Sequence, residues 1–358
     1  MKAEQKSNNG FKLFVIVLIG VILFFSSSKN QEKFINFINN TSMVRKDLEV
    51  IRSIPMKESI DDIAYYDNSI IVWMDNKLVR YNTQGSKEWE KEFNLNSPEV
   101  TFGDEGIYVY EALTGNVYSL NTKGETISKF QLQTEVRNVI EGNKNILLHV
   151  KKDDNEGINI LDTNGKMIQN KLVEGDNVLT YCINRSNSKY AFATLNLKGN
   201  SIRSEIQAYN MEGEFLSTTY LDNEIVFYLN FIKDDTLIVM TDKGLYSIDD
   251  SSILWQKDHQ LIKDIYINEK GINILYGNTL ENISFDGISE YKHSFLEEYR
   301  KSIPFNEYMI IYGPNNIIGL KEGKEVLKYE SEESILKVLN GGQNLIIVYE
   351  NRIDIVSI

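Results

Sequence analysis

Along most of the chain, two apolar positions three residues apart precede a polar tetrad ending in glycine, and a mixed strand-like run follows. Residues 78–93 show the unit: Leu78 and Tyr81, then Asn82-Thr83-Gln84-Gly85, then a run holding Trp89. It recurs at 117–132 around Gly124, 158–173 around Gly165, 206–221 around Gly213 and 280–295 around Gly287. Two copies have shorter turns: 245–259, with Ser251 in the glycine's place, and 317–329, with Gly323. Asn or Asp at the head of the tetrad hydrogen-bonds the backbone two residues on, and Gly at its end takes φ > 0 without a Cβ penalty. That chemistry predicts a β-hairpin closed by a type I turn and a G1 bulge.

Positions four and seven before the glycine, such as Leu120 and Val117, are an odd number apart, so they point to opposite sides of a strand. Both are apolar, which predicts a strand in a sheet sandwiched between two others. From Gly85 to Gly323 the chain takes six steps, a period of about 40 residues. Two further strand-like runs precede each hairpin: 60–66 and Ser69–Met74 in the first unit, 225–232 and Thr236–Thr241 in the fifth. Four strands per unit at this period predict the blades of a β-propeller.

The two ends of the repeat complement each other. Residues 47–54 form a strand without a hairpin partner, ended by Pro55; 334–338, 344–349 and 352–358 form three strands without a fourth. Pairing the first strand with the last three closes the ring and removes an exposed edge. The predicted fold is all-β: an eight-bladed β-propeller (alternatively seven) of four-stranded antiparallel sheets over residues 47–358, closed by its N-terminal strand.

The N-terminal segment changes the cellular picture. Residues 1–10 are polar, and 13–25 are uncharged and apolar, bounded by Lys12 and by Ser26, Ser27 and Ser28. A stretch over 11–28 just reaches the length of a membrane span. The preceding lysines predict a cytoplasmic N-terminus. A cleaved signal peptide is the competing expectation. Residues 29–46 read as a linker, with Phe34, Phe37 and Ile38 on one helical face. The predicted layout is a cytoplasmic tail (1–10), a single-pass signal anchor (11–28), a linker (29–46) and a propeller outside the cell membrane. The formal net charge of −13 argues against nucleic acid or anionic lipid as a partner of the propeller. Cys182 is the single cysteine, so no intrachain disulfide forms.

At Tyr81-Asn82-x-x-Gly85-x-x-x-Trp89 and Ile248-Asp249-x-Ser251-x-x-x-Trp255 the repeat resembles the pyrroloquinoline-quinone-type, or quinoprotein-like, propeller repeat. The resemblance implies a Trp that docks on the neighbouring blade. Similar repeats form the eight-bladed outer-membrane assembly lipoprotein and the quinoprotein dehydrogenases. The overall layout also looks like an uncharacterised family of clostridial single-pass membrane proteins. Only two units carry the Trp, and the chain has neither a vicinal Cys pair nor a calcium-ligand cluster, so cofactor binding is not carried over.

The candidate chemistry is sparse. His149, His259 and His293 are isolated and read as packed or solvated, not as ligands. Asp153-Asp154-Asn155-Glu156-Gly157 lacks the alternation of a calcium loop and reads as a solvated hairpin loop. Trp89 and Trp255 read as core packing at docking positions, with sugar stacking by these or Trp73 as the functional alternative. Asn39, Asn40, Asn184 and Asn282 satisfy the N-x-S/T sequon, which means little if the host is bacterial. No catalytic, cofactor-binding or metal residue is assigned. The connections at 111–115, 151–157 and 196–204 are the longest between second and third strands, and they would emerge on one face. The expected function is a non-catalytic scaffold for another envelope protein, displayed by blades two to four. The alternatives are a small-molecule or cell-wall glycan binding module and, behind it, a quinoprotein-like enzyme.

Overall fold

The structure, a computed structural model, describes residues 24–26, 30, 47–197, 201–233 and 235–358. The anchor and linker expected at 11–46 lie almost wholly outside these residues. Among the described residues no helix is long and apolar enough to cross a membrane.

Eight four-stranded antiparallel sheets form an eight-bladed propeller. Blades one to seven occupy residues 62–92, 98–131, 135–173, 177–222, 226–258, 262–294 and 301–330, each with its strands in sequence order. Contacts between neighbouring blades' strands run mainly through the first strands, which line the axis. Blade eight takes Lys337–Gly341, Asn344–Val348 and Arg352–Ser357, and its fourth strand is Glu49–Pro55 from the start of the domain. Val50 pairs with Val356 and Arg52 with Ile355. Ser53 Oγ donates to Asp354 Oδ1 at 2.6 Å across this seam.

The hairpin chemistry is as the sequence predicts. The Asn82, Asn121, Asp162 and Asn210 side-chain oxygens each accept two backbone N–H bonds from their own turn. The glycines that close these turns have φ between +82° and +85°. A register shift marks the bulge in all seven hairpins between third and fourth strands. One expectation is corrected: in blade five the left-handed residue is Asp250 (φ 50°), not Ser251. Asp249 pairs directly with Ser252, so a shorter turn shifts the special backbone position by one residue.

The core is divided among the blade interfaces. Leu78 packs toward blade two, and Tyr81 on the same strand packs toward blade eight. Val117 and Leu120 likewise face blades three and one. Eight apolar clusters result, one between each adjacent pair of blades. Ring closure does not remove every sheet edge, because the fourth strand of each blade still presents its outer side to solvent. Blades one, six and seven guard that edge with Lys and Glu: KEWEKE, SEYKHS and KEVLKYE.

Candidate functional site

The strand order gives the ring two unlike faces. One carries the turns between first and second strands and between third and fourth strands; we call it the turn face. The other carries the connections between second and third strands and the linkers between blades; we call it the linker face.

On the turn face, glycine serves the packing of blades as well as the turn. A Cβ on Gly124 would lie 2.5 Å from the Trp89 ring, one on Gly165 2.3 Å from Phe130, and one on Gly287 2.8 Å from Trp255. Ile54, Gln169 and Tyr291 cover Gly85, Gly213 and Gly323 in the same way. Each covering side chain comes from the fourth strand of the preceding blade, and Ile54 comes from the closing strand. Polar side chains reinforce these docks. Trp255 Nε1 donates to Phe285 O at 2.8 Å, Lys91 Nζ to Gly124 O at 3.0 Å and Gln169 Nε2 to Met211 O at 3.1 Å.

The residues singled out from sequence mostly hold structure together. His293 Nδ1 donates to Gly323 O at 3.0 Å, and burial pushes its pKa down. His149 Nε2 lies 3.1 Å from Glu156 Oε2, which also accepts the Val178 N–H at 2.8 Å from the next blade. Burial pushes His149 down as well, with Glu156 opposing. His259 Nε2 lies 3.1 Å from Glu281, a carboxylate only 1% exposed that also meets Lys292 at 3.1 Å. Burial alone would raise Glu281, but hydrogen bonds from His259, Lys292 and Ser289 and the Lys292 charge hold it well below the usual carboxylate range. Cys182 is buried, and desolvation pushes its thiol up to about 12. Trp73 is buried against Phe93. Asn184 is 1% exposed with its amide engaged by Ser188 and Lys189, and Asn282 Nδ2 donates to Asn273. Among the described residues no group of three His, Cys, Asp or Glu side chains gathers as a metal site.

The three long connections do reach the linker face, with one correction. Lys151 pairs with Glu156 and Lys152 with Asn155, so 151–157 is an extended hairpin with a two-residue turn at Asp153 and Asp154. In blade two the turn is fixed from within: the buried Glu111 carboxylate accepts from the Asn96 N–H, the Thr114 hydroxyl and Asn116 Nδ2. Leu113 at its tip is 80% exposed.

Sequence reasoning missed the most unusual point of this face. The linkers between blades repeat a left-handed residue: Ser97, Gln133, Gly175, Asn223 and Leu261. Gly and Asn tolerate that backbone; a bulky apolar side chain there is an outlier. Leu261, with φ 57°, is nevertheless 76% exposed. Beside it, a bulge between Val226 and Tyr228 displaces Phe227, which is 57% exposed. Phe227, Met240, Leu261 and Ile262 line a mainly apolar recess of about 460 Å³ with Thr241 and Asp242. The bulge recurs in blades three to six, where the added residues are Arg137, Leu179, Phe227 and Lys263.

Residues 41–358 match a family of unknown function, DUF5711. The chain belongs to that family. No curated protein sequence matches it. Solved propellers share the fold at low identity. BamB from Moraxella catarrhalis is 10% identical with a TM-score of 0.60, covering 87% of this chain and 100% of its own. The C-terminal WD40 domain of Sif2 is 12% identical with a TM-score of 0.66, covering 88% and 99%. BBS1N, solved in complex with ARL6DN, is 12% identical with a TM-score of 0.53, covering 88% and 97%. At these identities the likeness speaks for the fold alone.

Proposed function

We propose that this DUF5711 chain is a non-catalytic, membrane-anchored propeller that binds a protein partner of the cell envelope through the recess between blades five and six. The observation that carries the reading is Leu261: an apolar side chain held in water on a left-handed backbone. Such an outlier costs roughly 1–3 kcal/mol and persists where function retains it. Exposed Phe227 beside it supplies the aromatic anchor typical of protein interfaces. Leu197 and Ile202, 57% and 40% exposed, are further apolar side chains of the linker face, in the blade-four connection. The solved complex of BBS1N with ARL6DN is a precedent for a propeller holding a protein.

The chain enters the ring at Glu49, opposite Ser357, on the turn face. An anchor at 11–28 would therefore be tethered to the ring from its turn-face side. Trp89 and Trp255, each laid on the next blade's glycine, support the quinoprotein-type reading of the repeat without its cofactor.

The test is crosslinking and affinity capture of the anchored protein from its own membranes, wild type against Leu261→Asp and Phe227→Asp. Loss of one crosslinked species in both variants, with melting temperature unchanged, is the expected result. The same species captured at equal yield by all three proteins would overturn the reading.

A further inference from the structure

The turn face has a second opening, at the mouth of the axis, whose chemistry differs from the linker-face recess. A cavity of about 620 Å³ lies between the first-to-second turns of blades four, five and six. Its wall holds Arg185 and Lys233, one carboxylate, Glu269, and Asn230, Asn268, Phe231 and Phe285. An adjoining recess of about 410 Å³ shares Arg185, Asn230 and Phe231 and continues to Asp104 and Glu105 on blade two.

Arg185 is one of two described arginines without a carboxylate partner, the other being Arg52 on the closing strand; Arg80, Arg137, Arg203, Arg300 and Arg352 all meet a carboxylate. Arg185 has no hydrogen bond or ion pair among the described residues, and neither has Lys233. In a chain of formal net charge −13, a lining with two unpaired cations against one carboxylate, Glu269, is net positive and attracts an anion.

The turn that carries Arg185 is built in advance. The buried Asn184 side-chain oxygen accepts the Ser188 and Lys189 N–H groups at 2.9 and 3.0 Å, and the Asn187 N–H closes on Asn184 O at 3.0 Å. The guanidinium therefore stands on a fixed base, and its planar fork suits a carboxylate. Phe231 and Phe285 offer an apolar wall beside it, and Asn230 and Asn268 offer amide groups. Across the adjoining recess, Asp104 and Glu105 present the opposite charge. Glu141 there is already occupied, accepting from the Glu105 N–H and the Tyr108 hydroxyl, each at 2.8 Å.

We propose that the axial mouth of the turn face binds a short zwitterionic peptide. Its carboxylate lies on Arg185 and Lys233, an apolar side chain lies against Phe231 and Phe285, and its ammonium end points toward Asp104 and Glu105. The cavity is in the usual volume range of small-ligand sites. The proposal concerns the face opposite the Leu261 recess and stands independently of the partner proposed for it.

The test uses the full chain and isothermal titration with the tripeptide Ala-Ala-Phe, as free acid and as C-terminal amide, with sodium acetate as the bare anion. Saturable binding of the free acid is expected, at least tenfold weaker for the amide, for Arg185→Ala, and for Asp104→Asn combined with Glu105→Gln. Acetate should bind far more weakly than the peptide. Thermal melting of the variants should match the wild type, because all three side chains project from turns. Absence of saturable binding to the wild type would overturn the proposal. So would equal affinity for acid and amide, or undiminished affinity in Arg185→Ala.

Discussion

On the turn face, Gly124 lies under Trp89 and Gly287 under Trp255; on the linker face, Leu261 takes a similarly left-handed backbone and stands in water. Both arise from the same need, a reversal of the chain once per blade at a fixed place. On one side the reversal is made by a residue with no side chain, and the space is filled by the neighbouring blade. On the other it is made in blade five's linker by a side chain that no blade covers. The comparison teaches that the repeat uses its glycine turns to fasten neighbouring blades and leaves the side chain of the fifth linker uncovered.

Filling the space under a dock should do the most damage. Gly124→Val places a branched side chain at φ +82° and drives it into the Trp89 ring. Left-handed strain and overpacking together predict a loss of about 4 kcal/mol, read by urea unfolding. A loss under 1 kcal/mol would show that the turn face is not where the blades are fastened. Trp255→Ala removes the covering ring and its hydrogen bond to Phe285 O. The side chain is only part-buried, so a smaller cost of about 2 kcal/mol is expected in the same measurement.

Acid should separate the two faces next. Burial depresses His293 at a turn-face dock and His149 at the linker-side end of blade three. A group depressed on folding contributes stability above its unfolded pKa, about 6.5 for His, and that contribution is lost as pH falls. The melting temperature should therefore be flat from pH 8 to 7 and fall between pH 6.5 and 5. Glu281, held below the usual carboxylate range, adds a second decline below about pH 4.5. His293→Gln and His149→Gln, made singly, assign the upper decline to one face or the other. A profile rising toward acid would contradict both assignments.

The smallest effect on stability is the sharpest on the comparison. Leu261→Gly relieves the left-handed strain and should raise stability by about 0.5–1 kcal/mol while abolishing partner capture. A destabilised variant would mean that Leu261 packs for the fold and not for a partner.

What the sequence disclosed follows from which features have a residue-level cause. Asn or Asp three positions before Gly has one local outcome, so the hairpins, their bulges and the doubly apolar third strands were legible. The surplus strands at 47–54 and 334–358 implied each other because a blade needs four. The features of the candidate site have no such signature. Leu261 is left-handed because the linker geometry demands it, and nothing about leucine announces that. Phe227 is displaced by a bulge, and neighbours with bulges have Leu179 and Lys263 at the same place, so residue type gives no hint. The exchange of Ser251 for Asp250 and the contraction of 151–157 to a two-residue turn were hidden because strand length is set by pairing, which local pattern underdetermines.

The seam between Glu49–Pro55 and Arg352–Ser357 also has a mechanical side. It joins residues some 300 positions apart, so the loop-closure entropy falls on the last step of folding and the ring latches only once the final strand exists. A pull on the N-terminus acts along that strand and loads its cross-strand bonds together as shear instead of peeling them singly. The propeller thus carries, at the point where a force on its N-terminus would arrive, the one joint that both completes it and bears the strain.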